Sequence, residues 1–335
     1  MLTFAVLFAT MNTETIFNIK TKEDFNTAAL AVFNFQYKNN LVYSEFCNHL
    51  NKNSHNVNHF TDIPFLPIQF FKTKKVLVKN TTPEVTFSSS GTTGTVTSKH
   101  YVSNVQVYID SYLKGFKYFY GDIKKYCVLA LLPSYLERKG SSLIYMADDL
   151  IKKSEHPDSG FYLHNINALV SKLKLLEENG TQVLLIGVSF ALLDMAEQYN
   201  LHLKNTIIME TGGMKGRRKE LIREELHQEL KNGFGVTEIH SEYGMTELLS
   251  QGYSKGNGIF NTPPWMKILT RDPEDPLTLQ KNGKTGGINV IDLANVNSCA
   301  FIATQDLGKV HTNQSFEIIG RFDNSDIRGC NLLVL

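Results

Sequence analysis

The apolar residues between Lys22 and Asn51 recur at helical spacing. Members of this set are Phe25, Ala28, Leu30, Val32, Phe33, Val42 and Phe46. Such spacing puts apolar side chains on one face of a helix. The pattern therefore predicts a helical section near the start of the chain.

Short apolar runs bounded by turn residues predict strands further along the chain. The runs are "KKVLVKN", "EVTFSSS", "YCVLALLPS" and "TQVLLIGVS". The last two are apolar at nearly every position, as in strands of a parallel sheet that is covered on both faces. Between these two, "HNINALVSKLKLLEENG" predicts a helix for which Gly180 is the stop signal. The succession of strand, helix and strand favours a doubly wound α/β architecture.

From Gly286 onward the pattern changes to short strands that alternate with turns. The segments "GGINVIDLANVNSCAFIATQDLGKV" and "SFEIIGRFD" predict a β-rich closing part. We expect one large domain over residues 12–335. Its helical section reaches residue 80, its α/β part covers residues 81–260, and its β-rich part covers residues 261–335.

Composition and charge narrow the class of protein. The chain has 335 residues, 42% of them apolar and 20% charged, with a formal net charge of +1. These values are typical of a globular protein, and the charge indicates no nucleic-acid partner. No apolar run is long enough to predict a membrane span.

The cysteines and the first residues bear on the cellular compartment. Cys47, Cys127, Cys299 and Cys330 lie far apart and show no zinc-binding spacing. A reducing cytoplasm is therefore expected. The opening "MLTFAVLFAT" lacks the basic start and the cleavage site of a signal peptide. We interpret it as a non-native or disordered extension and expect translation to start at Met11.

The segment "VTFSSSGTTGTVTSKHY" is rich in glycine and small hydroxyl residues and follows a predicted strand. Backbone N–H groups of such a loop converge on an anion, and hydroxyl groups add further donors. Neither Gly91 nor Gly94 has the spacing of a Walker A loop. The segment thus predicts a phosphate-binding loop of another kind, and a solvated turn is the alternative.

Four motifs resemble those of the adenylate-forming enzymes, which include acyl-CoA ligases, luciferases and peptide-synthetase adenylation domains. They are "FSSSGTTG", "SEYGMTE", "ATQDLG", in which Gln305 replaces the glycine of the family, and "IGRFDNSDIRG". They occur in the family's order. Two further segments, "LLPSYLERKGSSLIYM" and "ETGGMKGRR", look most like the branch of acyl-protein synthetases and phenylacetate-CoA ligases. The resemblance implies the large N-terminal α/β domain of these enzymes, with parallel-sheet subdomains, helices and a β-rich closing subdomain.

The resemblance also implies a site for ATP and Mg²⁺. Glu247 would hold the metal, Thr246 would contact the α-phosphate, and Tyr243 would lie against adenine. Asp306 and Arg321 would bind the ribose. The residues implied to approach phosphate or adenine through the backbone or hydroxyl groups are Ser89, Ser90, Gly91, Thr92, Thr93, Gly94, Gly212 and Gly213. Glu247 as a surface carboxylate and Asp306 as the start of a turn are the alternatives.

One lysine departs from the family pattern. The family commonly has a proline and then a lysine soon after the loop, whereas here Val96 replaces the proline and the lysine follows later, as Lys99. A role for Lys99 at phosphate and a solvated position remain equal alternatives.

The implied reaction activates a carboxylic acid as acyl-AMP. The resemblance to acyl-protein synthetases implies that this acid is a fatty acid. Family ligases that make CoA thioesters continue into a small mobile domain, whereas this sequence ends six residues after Gly329. Cys330 stands where acyl-protein synthetases carry the acyl group on a cysteine. The acceptor would be a protein, a carrier protein or CoA. A free-standing CoA ligase and a scaffold without turnover remain alternatives.

Two other features have structural interpretations. The run "KGRRKELIREELHQELKNG" predicts an amphipathic helix with Ile222, Leu226 and Leu230 inward. His240, next to the Tyr-Gly motif, is interpreted as a packing residue.

Overall fold

The computed structural model describes residues 13–89, 96–133, 140–162, 165–212 and 221–322. Within these ranges the helices are α1 (Thr13–Phe17), α2 (Lys22–Asn39), α3 (Leu41–His49), α4 (Phe70–Thr73), α5 (Val105–Tyr120), α6 (Ser142–Ser154), α7 (Ile166–Glu178), α8 (Ser189–Gln198) and α9 (Arg223–Phe234). The strands are β1 (Leu66–Pro67), β2 (Val85–Ser88), β3 (Lys99–Val102), β4 (Cys127–Leu131), β5 (Gly160–Phe161), β6 (Val183–Val188), β7 (Thr206–Thr211), β8 (His240–Tyr243), β9 (Gly252–Ser254), β10 (Phe260–Asn261), β11 (Met266–Arg271), β12 (Thr285–Asp292), β13 (Phe301–Val310) and β14 (Phe316–Arg321).

The predicted helical section is confirmed as α2 and α3. Thr21 caps the start of α2, where its hydroxyl accepts from the Asp24 N–H and the Asp24 carboxylate accepts from the Thr21 N–H. Asn40 has an extended backbone that ends α2, and its side chain caps α3 by accepting from the Tyr43 N–H at 3.2 Å. One asparagine therefore divides the periodic segment into two helices.

The prediction of a strand at "KKVLVKN" is wrong. Val76, Leu77 and Val78 are buried, but they lie in a segment outside the sheets. The Val78 N–H donates to the Asn297 carbonyl at 2.9 Å, and the Ser298 hydroxyl donates to the Val76 carbonyl at 2.8 Å. Because loop contacts satisfy this backbone, an apolar run of strand length is buried here without a strand.

A mixed sheet forms the centre of the protein. In the described residues it has 12 strands, in the order β11-β12-β13-β14-β10-β9-β8-β7-β6-β4-β5, with β1 beside β13. Strands β5, β4, β6, β7 and β8 run parallel, whereas the pairs from β8–β9 to β12–β11 are antiparallel. The predicted mixed α/β fold is confirmed, and the strands of the predicted α/β and β-rich parts belong to one sheet.

The two uniformly apolar runs form neighbouring parallel strands. Every residue of β4 and β6 is buried, and Cys127 pairs with Val183 at the start of their register. Helix α7 lies between them in the sequence and ends before Gly180, whose φ of +67° suits glycine. The predicted strand–helix–strand unit is therefore confirmed.

Helix α9 differs from its prediction at one end. Leu226 and Leu230 are buried as predicted, whereas Ile222 is 62% exposed. Ile222 is the N-cap residue, with an extended backbone, so it lies off the helical face that the periodicity assumed. Residues 215–220 of the predicted helix lie outside the described residues.

Candidate active site

The hairpin of β2 and β3 forms the base of the predicted phosphate loop. Ser88 pairs with Lys99, and the Ser89 N–H donates to the Ser98 carbonyl at 3.1 Å. The Ser98 N–H donates in return to the Ser89 hydroxyl at 2.9 Å. These bonds hold together the two ends of the loop. Ser90, Gly91, Thr92, Thr93 and Gly94 themselves lie outside the described residues.

A glycine on the α6 side supports the same hairpin. The Gly140 carbonyl accepts from the Ser88 N–H at 2.8 Å. Gly140 has a φ of +89°, and a Cβ there would lie 3.1 Å from the Ser88 hydroxyl oxygen. The approach therefore suits glycine in both backbone conformation and space. Lys99 is exposed on β3, and among the described residues its ammonium group forms no ion pair.

The predicted metal residue, Glu247, is a buried side chain at the base of this loop. It lies in the turn after β8 and is 5% exposed, so it is not the surface carboxylate of the alternative interpretation. Burial raises the pKa of Glu247, while the nearby Ser98 hydroxyl and the charges of Arg321 and Lys72 act in the opposite direction. Ser98 thus bonds the end of the predicted phosphate loop through its backbone, and its hydroxyl lies near Glu247.

Two buried side chains fix the backbone of the Thr246–Glu247 turn. His100 Nδ1 lies 2.9 Å from the Thr246 carbonyl oxygen, and the Asn295 amide donates to the Glu247 carbonyl at 2.8 Å. His100 Nε2 lies 3.0 Å from Asn295 Oδ1. Sequence reasoning missed both residues, because neither belongs to a motif.

Two opposed effects act on His100. Both of its partners are oxygen acceptors, so the ring satisfies both only as an imidazolium ion, and these contacts favour the charged form. Burial disfavours that form and is the larger effect, which lowers the pKa of His100 to about 4. At neutral pH the ring therefore donates one of the two bonds. The bond to the Thr246 carbonyl requires the proton on Nδ1, and the bond to Asn295 Oδ1 requires it on Nε2.

Tyr243, Asp306 and Arg321, predicted to bind adenosine, lie together. The Tyr243 hydroxyl donates to Asp306 Oδ2 at 2.8 Å, and Arg321 Nε donates to Asp306 Oδ1 at 3.0 Å. Asp306 and Arg321 are direct partners in the β13–β14 register. Asp306 therefore lies within a strand and does not begin a turn. Arg321 is 74% exposed, so one end of this group faces solvent.

Burial and the neighbouring Asp306 carboxylate raise the pKa of Tyr243 well above its usual value. The phenol therefore stays a hydrogen-bond donor to Asp306 at neutral pH. The Tyr243 ring packs edge-on against Phe260 and Phe316, with centroids 6.1 and 5.6 Å away. These contacts fix the ring at the end of β8.

Gly212 begins the predicted adenine-binding turn after β7. It is exposed and has a φ of +70°, a conformation that favours glycine. The Ser189 hydroxyl lies 2.7 Å from the Gly212 carbonyl oxygen, so the first peptide of the turn is anchored to α8. Gly213 and Cys330 lie outside the described residues.

The donor set around Glu247 fits Mg²⁺ that is bound together with ATP. Among the described residues no three His, Cys, Asp or Glu side chains come together as a metal site. At this position the described residues offer the hard carboxylate of Glu247. Mg²⁺ commonly binds through one or two carboxylates, with substrate phosphates and water as its other ligands.

His240 packs against Tyr120, whose hydroxyl lies 3.1 Å from Nδ1 of the ring. Burial and the charge of Lys255 lower the pKa of His240 to about 4. The ring is thus neutral at physiological pH and outside the group of predicted site residues.

Comparison with protein families decides the relationship that the motifs indicate. The sequence model of the acyl-protein synthetase (LuxE) family matches residues 16–335. The chain belongs to the LuxE family. A search of curated proteins finds no significant match.

Solved adenylate-forming enzymes share the fold of this LuxE-family chain. ATP-bound MatB from Rhodopseudomonas palustris is 17% identical, with a TM-score of 0.51; the match covers 70% of this chain and 47% of MatB. A 2-hydroxyisobutyryl-CoA ligase in complex with 2-HIB-AMP, in the postadenylation state, is 10% identical, with a TM-score of 0.63. That match covers 90% of this chain and 68% of the ligase. The chain thus spans about half the length of MatB.

None of the described helices combines the length and the apolar character that a membrane span requires.

Proposed function

We propose that this LuxE-family chain uses ATP to convert a carboxylic acid, of the fatty acid class, to an acyl-adenylate and then transfers the acyl group to a thiol. The observation that carries the first step is the position of Ser98 between the predicted phosphate loop and Glu247. Its backbone closes the predicted phosphate loop against Ser89, and its hydroxyl lies near enough to the Glu247 carboxylate to lower the pKa of that group. A phosphate-binding loop and a metal-binding carboxylate are thereby joined through one residue.

The chemistry of adenylation fits a site without a general base. A carboxylic acid with a pKa of about 4 to 5 is already ionised at neutral pH. One of its oxygens attacks the α-phosphorus of ATP, the bond between the α-phosphorus and the bridging oxygen breaks, and pyrophosphate leaves. The protein must align two anions and neutralise charge, which is the work of oriented donors and cations.

The site residues divide this work. Ser89 and the loop to Gly94 would bind the β- and γ-phosphates, and Thr246 would contact the α-phosphate. Glu247 would hold Mg²⁺, which supplies charge neutralisation at the phosphates when it is bound. Lys72 and Arg321 add positive charge near Glu247.

Adenosine would lie at the ends of β7 and β8. Tyr243 would contact adenine, with Gly212 and Gly213 allowing the backbone to approach the base. Asp306 would accept from the ribose hydroxyls beside Arg321, because a carboxylate held by two donors keeps further acceptor capacity. Lys99, exposed on β3 after the loop, is proposed to interact with phosphate.

The second step needs a thiolate that attacks the carbonyl carbon of the acyl-adenylate. The carbon–sulfur bond forms as the bond to the AMP oxygen breaks, and AMP leaves. We propose Cys330 as this thiol, with a protein or a carrier thiol as the final acceptor. Cysteine suits the role because it is a good nucleophile and, as a thioester, a competent leaving group.

Exchange of labelled pyrophosphate into ATP tests the first step. With Mg²⁺ and a panel of carboxylic acids, the wild type should show exchange that depends on one class of acid. Glu247→Ala should slow it by roughly 10²- to 10³-fold, the usual cost of losing a group that stabilises transition-state charge.

Two matched variants sharpen this test. Glu247→Gln keeps the side-chain shape and removes the charge, and it should be as slow as Glu247→Ala. Glu229→Ala removes an exposed carboxylate on α9 and should leave the rate unchanged. Wild-type exchange in a correctly folded Glu247→Ala protein would exclude Glu247 from the site, and no exchange with any acid would refute the adenylation proposal.

A further inference from the structure

The buried side chain of Glu242 contacts both turns that form the proposed adenine site. On one side, the Thr211 hydroxyl donates to Glu242 Oε2 at 2.5 Å, directly before Gly212. On the other side, Glu242 Oε1 lies beneath Gly244, where a Cβ would come within 2.3 Å of it. Thr211 and Glu242 are direct partners in the parallel β7–β8 register. One carboxyl group therefore joins the end of β7 to the end of β8.

A second buried carboxyl group, Glu210, lies beside Glu242 but has different partners. Glu210 Oε1 lies 3.8 Å from Arg223 Nη1 and 3.6 Å from His227 Nε2. Its Oε2 lies 2.9 Å from the Ser189 hydroxyl. Burial acts to raise the pKa of Glu210, but the nearby His227 and Arg223 side chains outweigh it, so the pKa is lowered. Glu210 is therefore an ionised, compensated carboxylate.

Glu242 has no such compensation. Among the described residues it forms no ion pair, and the titratable groups that face it are Glu210 from β7, Tyr108 from α5 and Tyr253 from β9. Burial and the charge of Glu210 raise the pKa of Glu242 to about 7, against the effect of the Thr211 hydrogen bond. Near neutral pH both protonation states of this carboxyl group are therefore populated.

The two protonation states of Glu242 have different structural consequences. The neutral acid can stay buried beside the ionised Glu210 and keep both contacts. The ionised form of Glu242 would be a second buried negative charge beside Glu210, with the Thr211 hydroxyl as its partner. Movement toward water and away from Thr211 would therefore stabilise it. A negative charge behind the site would also repel the phosphates of a nucleotide.

We propose that Glu242 is a positioning residue for the nucleotide, whose neutral carboxyl group holds the Thr211–Gly212 and Tyr243–Gly244 turns together in the geometry that binds adenosine. This role rests on the proposed nucleotide site. It adds a buried acid–hydroxyl pair, Glu242 and Thr211, that stands behind the adenine-binding turns and need not touch the ligand.

Nucleotide affinity at two pH values tests the role. If only the neutral form is competent, the Kd of the wild type for ATP should rise about tenfold between about pH 6 and about pH 8, as the competent fraction falls. Adenosine, whose charge does not change in this range, should show the same trend. Glu242→Gln should bind at both pH values with the affinity of the wild type at the lower pH, since its amide oxygen accepts from Thr211 and carries no charge.

Control variants separate this role from a structural one. Glu229→Gln should keep the pH dependence of the wild type. Thr211→Ser should also keep it, whereas Thr211→Val, which lacks the hydroxyl, should bind weakly at both pH values. Binding without pH dependence in the wild type, or an unchanged pH dependence in Glu242→Gln, would overturn the role of Glu242 and leave the nucleotide site intact. Failure of the wild type to bind ATP or adenosine would overturn both.

Discussion

Replacement of Ser98 by alanine isolates the effect of one hydroxyl group in the proposed site. The bonds that Ser98 forms with Ser89 use its backbone N–H and carbonyl, so alanine keeps both. Only the hydroxyl, which acts to lower the pKa of Glu247, is lost. Ser98 is 2% exposed, so water does not readily take its place. The variant should therefore change the pKa of Glu247 without breaking the backbone bonds that close the β2–β3 hairpin.

The expected magnitude follows from the charge of the acceptor. A hydrogen bond to a charged group contributes about 1.5–3 kcal/mol. Because 1.36 kcal/mol corresponds to one pKa unit, the loss should raise the pKa of Glu247 by about 1–2 units. The pKa of Glu247 should rise because the Ser98 hydroxyl stabilises the ionised form. Burial of Glu247 also raises this pKa, so it acts in the same direction as the loss of the hydroxyl.

The pH dependence of carboxylate-dependent pyrophosphate exchange measures this shift. At a fixed Mg²⁺ concentration, the acid limb of kcat/KM in Ser98→Ala should move upward by about 1–2 pH units, while the rate at high pH approaches that of the wild type. Ser103→Ala, on the segment just after β3, serves as the matched control. An acid limb at the wild-type position in a folded Ser98→Ala protein would refute the link between Ser98 and Glu247.

Two other predictions concern Asn295 and Cys330. Asn295→Leu should lower the free energy of unfolding by about 1–3 kcal/mol in urea titrations, because the Glu247 carbonyl loses its buried donor. As a control, Asn282→Leu removes an exposed amide that donates to the His311 carbonyl, and it should lower the free energy of unfolding by less than about 0.5 kcal/mol. An equal loss in both variants would contradict the argument. With ATP and a labelled fatty acid, Cys330→Ser should still exchange pyrophosphate but acquire no label that neutral hydroxylamine releases, whereas normal labelling would favour transfer to CoA.

Strand prediction succeeded where burial and hydrogen bonding coincide. Strands β4 and β6 are apolar throughout and lie within the parallel part of the sheet, so their sequences match their positions. The segment around Val76 and Val78 has the same character, yet loop and side-chain partners satisfy its backbone. Apolar patterning reports burial, and it cannot distinguish these two ways of pairing a backbone.

The site was predictable only as far as its motifs extend. Tyr243, Asp306 and Arg321 were predicted from separate motifs, and the structure brings them together. His100 and Asn295 were missed because they support the turn after β8 across 146 and 48 residues of sequence. Neither residue type is distinctive at its position, so only the tertiary structure identifies them.

The sheet topology explains why the turn after β8 requires this support. Strand β8 runs parallel to β7 but antiparallel to β9, so the chain reverses direction directly after Tyr243. In the parallel part the strands end at one edge, which places Thr211 beside Glu242. The antiparallel strands β13 and β14 bring Asp306 and Arg321 to Tyr243. The reversing turn itself has carbonyl groups outside the ladder. Side chains must satisfy them, and His100 and Asn295 do so at Thr246 and Glu247. The backbone geometry at Thr246 and Glu247 is therefore set in part by two buried side chains from distant parts of the sequence.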